Sequence, residues 1–177
     1  NRTSYREAIK AIVDNNPQRH NQIKFSYPNV QVSFVNDDVL MNNTIDAIII
    51  ATPVNSHYEL AKKALLNGKH VLIEKPLTSS FDEAQELIEI AEKKGLLLMV
   101  DHTFLYTGAI QKIKELIENK TVGKPTYFDS TRINLGLFQS DINVLWDLAP
   151  HDISILQYLI SEEPYSINAT GISHTKN

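Results

Sequence analysis

The chain has 177 residues, 42% hydrophobic and 21% charged, with a net charge of −4 and no cysteine. This composition is that of a globular protein; it excludes disulfides and thiolate metal sites, and it gathers no basic stripe of the kind nucleic acid requires. The longest apolar runs, DAIIIA and LLLMV, are far too short to cross a bilayer, and no signal peptide opens the sequence, so a cytoplasmic protein without membrane or nucleic-acid partners is expected.

Ser4-Tyr5-Arg6-Glu7 reads as a capping box, and Tyr5, Ala8, Ile9, Ile12 and Val13 form one apolar face of a helix behind it. Pro17 and its polar neighbours are expected to end that helix. VQVSF at 30–34 alternates like a short strand, and DAIIIAT at 46–52 is apolar throughout, as a parallel strand covered on both faces would be. A helix over 56–67 follows, with Gly68 placed for a left-handed C-terminal cap. HVLIE at 70–74 is the next strand. Ser80-Phe81-Asp82-Glu83 is a second capping box, before a helix with apolar positions Ala84, Leu87, Ile88 and Ala91 that Gly95 closes.

LLLMV at 96–100 is a further buried strand, and a helix over 109–119 comes after it. PTYFDSTRI at 125–133 alternates again, and a last helix is expected from about Pro150 to Ile160. Alternation of strand and helix predicts an α/β fold with a parallel, doubly wound sheet. Its strict form stops near Gly123, which suggests domains at 1–123 and 124–177.

In open parallel sheets, ligands bind beyond the carboxyl ends of the strands. Polar residues cluster at three such ends: Thr52-Pro53-Val54-Asn55, Glu74-Lys75-Pro76 and Asp101-His102-Thr103. An isolated E-K-P is most simply a surface ion pair and a turn. Here it ends a buried strand, and Pro76 restricts Lys75 to extended geometry, which aims the side chain. In WDLAPHDIS at 146–154, Asp147 and His151 share one face if the helix reaches back to Asp147. Asp147 as a plain helix cap and His151 as a half-buried histidine is the simpler alternative. His57, His102 and His151 have no metal-ligand spacing, so no metal is expected.

The stretch from Ile45 to Ser80, with ATPVNSHYELAKKALLNGKHVLIEKPL, resembles the Gfo/Idh/MocA oxidoreductases. The likeness runs on through VDHTFLYTGAIQKIKELI and INLGLFQSDINVLWDLAPHDISIL, and its wording is most similar to the branch acting on nucleotide-linked sugars, such as UDP-N-acetylglucosamine 3-dehydrogenases. The resemblance implies a Rossmann domain followed by an α/β substrate domain, NAD or NADP as cofactor, and hydride transfer at a sugar's secondary alcohol. Strand edges at 30–34 and 46–52 without their neighbours would be prone to pair with another chain, so a homo-oligomer is expected. It implies that Lys75, Asp147 and His151 are catalytic. It places Thr52, Pro53, His57, Glu74 and His102 along the cofactor, and makes the Lys75–Pro76 bond one that is often cis. A sugar- or nucleotide-sensing regulator of the same fold, without turnover, is the alternative; the presence of Lys75, Asp147 and His151 disfavours it.

The family opens with a strand, a G-x-G-x-x-G turn and a second strand ending in an acidic residue. The six glycines, at 68, 95, 108, 123, 136 and 171, do not form that turn. The expectation is therefore an internal stretch of a dehydrogenase with an incomplete Rossmann sheet and the start of a substrate domain, lacking cofactor affinity and turnover by itself. On this reading the acidic residue that selects NAD or NADP falls outside the sequence, and the strand at 30–34 has no neighbour.

Overall fold

A computed structural model of the chain describes residues 8–133 and 142–172. These fall into two compact units, one ending at Asp101 and including Ile142, the other beginning at His102. The Ser4–Glu7 capping box and most of the INLGLFQSD segment lie outside the described residues.

The first departure from expectation comes at once. Residues Ala11–Val13 form a strand, β1, where the spacing predicted the end of a helix. β1 pairs in parallel with β2 (Gln31–Ser33), Ile12 opposite Val32, so the strand at 30–34 does have a neighbour. The amide of Gln31 donates to the Lys10 carbonyl at 3.0 Å and that of Asp14 to the Ser33 carbonyl at 3.2 Å, extending the ladder at both ends. Ile12 and Val13 are β-branched, and a paired partner satisfies their backbone groups better than an isolated last helical turn would. The connection is α1 (Pro17–Ser26), a helix that the apolar pattern did not reveal. The Asn16 side chain caps it by accepting from the Gln18 amide at 2.9 Å, and Pro17 stands at its first position, where no amide is needed.

A single turn of helix, α2 (Asp37–Leu40), leads to the larger sheet. β3 (Ala47–Ile50), β4 (His70–Ile73) and β5 (Leu98–Val100) lie in the order β3-β4-β5, all parallel. α3 (His57–Leu66) and α4 (Phe81–Lys94) are the crossovers between them. The sequence-predicted parallel arrangement of these three strands is what forms, with each strand trimmed by a residue or more. Ser80 accepts from the Glu83 amide at the start of α4, and Gly95 closes it in the left-handed region at φ 66°.

Alternation along the strands sorts the two sheet faces. Ile50, Val71 and Ile73 face α3 and α4 and pack with Ala61, Ala64, Leu65, Leu87 and Ala91 into one core. Ile49, Leu72 and Met99 share a register row on the other face, where Ile49 is 71% exposed. Beneath the sheet's amino end, the buried Lys69 donates from Nζ to the carbonyls of Asn42 and Ile45, each at 2.7 Å.

In the second unit a short 3-10 turn, Thr103–Tyr106, precedes α5 (Gly108–Glu118) and α6 (Val144–Leu159). α6 begins at Val144 rather than near Pro150, because Asn143 accepts from the Trp146 amide at 3.0 Å and supplies the cap. Pro150 therefore lies inside the helix, where its missing N–H removes one ladder bond. The alternation at 125–133 does not become a strand: no strand pairing reaches it among the described residues.

Leu65 and Leu87 are fully buried in the first unit's core. Leu65→Ala or Leu87→Ala is expected to destabilise that unit by about 2–5 kcal/mol, and Ile49→Ala by much less, as read from urea midpoints.

Candidate active site

The expected cofactor-lining residues Thr52, Pro53, His57 and Glu74, together with Lys75, sit at the carboxyl ends of β3 and β4 in the first unit. The loop after β3 is held by Ser56, whose Oγ lies 2.7 Å from Thr52 Oγ1 and 2.8 Å from the Pro53 carbonyl. His57 opens α3 and is 1% exposed. Its Nδ1 lies 2.9 Å from the Pro76 carbonyl and its Nε2 2.8 Å from the Thr52 carbonyl. One ring thus joins the loop after β3 to the turn after β4. Its nitrogens are engaged with backbone, so whatever His57 contributes to a ligand it contributes by shaping both loops.

Glu74 continues the ladder, its amide donating to the Ile50 carbonyl at 2.9 Å. Lys75 follows, half-buried, and the Lys75–Pro76 bond is cis, as the resemblance implied. Pro76 is buried. Lys75 is therefore flanked by a paired strand and an anchored proline, which leaves little freedom in its backbone.

His102, Asp147 and His151 belong to the second unit. Because α6 extends back past Asp147, Asp147 and His151 stand one turn apart on one face, as the four-residue spacing required. The helix is capped by Asn143, so Asp147 is not its cap. The His151 ring meets Phe104 of the 103–106 turn edge-on, with centroids 4.8 Å apart at 78°. The Nδ1 atoms of His102 and His151 are both buried. No group of metal-binding side chains occurs among the described residues.

One residue the sequence reading missed stands at the end of β1. Asp14 directly follows that strand; its carboxylate accepts from the Asn16 amide at 2.8 Å and from Arg19 Nη1 at 3.0 Å. The acidic residue expected to fall outside the sequence has a counterpart within it, hidden because AIVD was read as helix. Behind it His20 stacks on Phe34 with centroids 3.9 Å apart, and His20 Nε2 lies 2.6 Å from the Asp14 carbonyl. A carboxylate at a strand end is a group that can accept from ribose hydroxyls, and strand-end loops are where parallel sheets take a dinucleotide.

The fold has known relatives. Residues 1–102 match the model of the Gfo/Idh/MocA oxidoreductase family, described as having an NAD-binding Rossmann fold. The chain belongs to that family. An uncharacterised oxidoreductase of Schizosaccharomyces pombe is 35% identical over 153 residues, covering 81% of this chain and 41% of the relative. The UDP-N-acetylglucosamine 3-dehydrogenase of Acidithiobacillus ferrooxidans is 34% identical, covering 73% of this chain and 40% of that protein. The scyllo-inositol 2-dehydrogenase (NAD(+)) of Bacillus subtilis is 30% identical, covering 76% and 41%. Among solved structures, an oxidoreductase from Bacteroides fragilis superposes with a TM-score of 0.72 at 29% identity, covering 85% of this chain and 43% of that one. The chain thus spans about two fifths of the length of these relatives.

The Asn16 amide and then the Arg19 guanidinium hold the Asp14 carboxyl below its ordinary value of 3.8. A folded value below the unfolded one means that the ionised carboxylate favours the fold above about pH 4. That contribution is lost as pH falls through the depressed value. A carbon-13 titration is expected to place the Asp14 midpoint below 3.8 and to return it toward 3.8 in Arg19→Gln.

Proposed function

We propose that this oxidoreductase transfers a hydride between a secondary alcohol of a nucleotide-linked sugar and a nicotinamide cofactor. Two features, each within its own unit, support the reading: an anchored Lys75 at a strand end in the first, and Asp147 and His151 on one face of α6 in the second. The relatives named for UDP-N-acetylglucosamine and scyllo-inositol oxidation support a ring alcohol as the reacting group, and the former supports the nucleotide.

Thr52, Pro53, Glu74 and His102 would line the cofactor, with His57 setting the loops that carry the first three. When bound, the nicotinamide supplies the hydride acceptor. The chain's own task is the proton and the charge. Losing hydride from a secondary alcohol requires the hydroxyl proton to leave, and an imidazole is the side chain best matched to accept it near pH 7. His151 takes that role. Asp147, one turn earlier on the same face, orients the ring and favours its protonated form. The Lys75 ammonium stabilises negative charge developing on the alcohol oxygen.

Asp14 extends the reading to cofactor choice. A carboxylate at the end of β1 accepts from ribose hydroxyls and repels a 2′-phosphate, which favours NAD over NADP. Asp14→Ser also releases Arg19, so the NAD-over-NADP ratio of kcat/KM is expected to fall by about tenfold or more.

The test is an assay with NAD or NADP and UDP-N-acetylglucosamine or scyllo-inositol as the alcohol. Lys75→Ala and His151→Ala are each expected to lower kcat by about two to four decades. Asp147→Asn should move the pH dependence of kcat/KM to lower pH, since the amide does not stabilise the imidazolium. Unaltered turnover in His151→Ala would move the base elsewhere, with His102 next to be tried. Cofactor binding without turnover on any polyol or sugar nucleotide would favour a sensing role instead.

A further inference from the structure

Beside His151 the second unit holds a charged assembly that the reaction scheme above does not use. Arg132 grips Asp152 with two parallel bonds, Nε to Oδ2 at 2.8 Å and Nη2 to Oδ1 at 3.0 Å. Ser130 Oγ donates to the same carboxylate at 2.7 Å. The two side chains are partly withdrawn from solvent, with exposures of 28% and 24%. A two-pronged guanidinium–carboxylate contact fixes both planes, so the segment carrying Ser130 and Arg132 is pinned to α6 at the residue next to His151. The Arg132 guanidinium carbon also lies 5.0 Å from the centroid of Phe104. Phe104 is the ring that meets the His151 imidazole at right angles.

We propose that Arg132 and Asp152 are positioning residues for His151: through Phe104 they hold its imidazole in place, and their balanced charges set its protonation. The proposal rests on the reading of His151 as the proton acceptor. A phenyl ring under a fixed cation cannot tilt without losing that contact, and the imidazole packed across it inherits the restraint. A carboxylate adjacent to an imidazole favours the imidazolium, and an arginine paired with the carboxylate cancels most of that effect. The bond from Arg132, and then that from Ser130, hold the Asp152 carboxyl below its ordinary value.

Among the described residues, charged and titratable groups stand on each element near His151. α6 itself supplies Asp147 and Asp152, the segment before residue 133 supplies Arg132, and the 103–106 turn supplies Phe104 with His102 at its start. α5 brings Lys114, but its ammonium lies 5.3 Å over the Tyr158 ring, about two helical turns further along α6. Arg132 and Asp152 thus form, among the described residues, an ion pair on the elements that carry His151 and Phe104 which does not itself belong to the proposed chemistry.

The test is an NMR titration of the His151 imidazole in the full chain, assigned by its loss in His151→Gln, and it needs no turnover. Asp152→Asn leaves Arg132 uncompensated and is expected to lower the His151 midpoint by roughly half a pH unit or more; Arg132→Gln should raise it by a similar amount. Arg132→Lys, which keeps the charge but loses the second prong, should leave the midpoint near its original value while broadening the ring signals. A merely structural pair would move both charge-removing variants the same way or neither, and that result overturns the proposal. Should either fail to fold, the other and Arg132→Lys still decide the sign. The pH profile of kcat/KM separates the two layers. Opposed shifts without a matching kinetic shift uphold the positioning role and remove His151 as base; a profile that follows His151 without opposed shifts does the reverse.

Discussion

Two backbone carbonyls, those of Thr52 and Pro76, converge on the single buried ring of His57. They belong to loops that leave different strands, and the buried ring packs between both while its N–H donates to one of the two. The position of Lys75 follows from this. Its strand is paired on both sides, its following proline is held by the ring, and its side chain leaves from a backbone with little slack. A buried strand can end in charge because the next turn is tied down.

The second unit solves a related problem with different means. There the ring to be held is His151, on a helix interrupted by Pro150. A proline inside a helix weakens the local ladder, and side chains must hold what the backbone does not. Phe104, Arg132 and Asp152 lie where such support is needed. One unit fixes a cation through main-chain geometry, and the other fixes an imidazole through a stack and an ion pair.

How much of this was legible in the sequence depended on how far each segment was constrained locally. β3, β4 and β5 were readable because they are apolar on both faces, although only the face toward α3 and α4 is buried and the expected cover on the other is not seen among the described residues, where Ile49 is 71% exposed. α4 was readable because its cap and its left-handed glycine are both local devices. β1 was not readable, since Ile12 and Val13 satisfy helical and strand spacing equally and only pairing with β2 decides between them. α1 was missed because it buries almost nothing but His20, so no apolar stripe marks it. That error concealed Asp14 as well. The Asp147–His151 spacing was legible, but the helix start was not, because Asn143 is an ordinary residue until its side chain is seen to accept from Trp146. The assembly of Arg132, Asp152 and Phe104 joins residues far apart in the chain, and no local pattern announces it.

The buried Lys69 has a consequence of a different kind. Its ammonium is enclosed at 5% residue exposure and spends its donors on two carbonyl oxygens of the segment that enters β3. An amine so placed is shielded from acylating reagents and from enzymes that acetylate lysine, while lysines on the helix surfaces are open to both. The rate at which Lys69 becomes labelled is therefore a clock for the opening of the first unit, one that runs in dilute solution or in a cell extract and requires neither substrate nor cofactor.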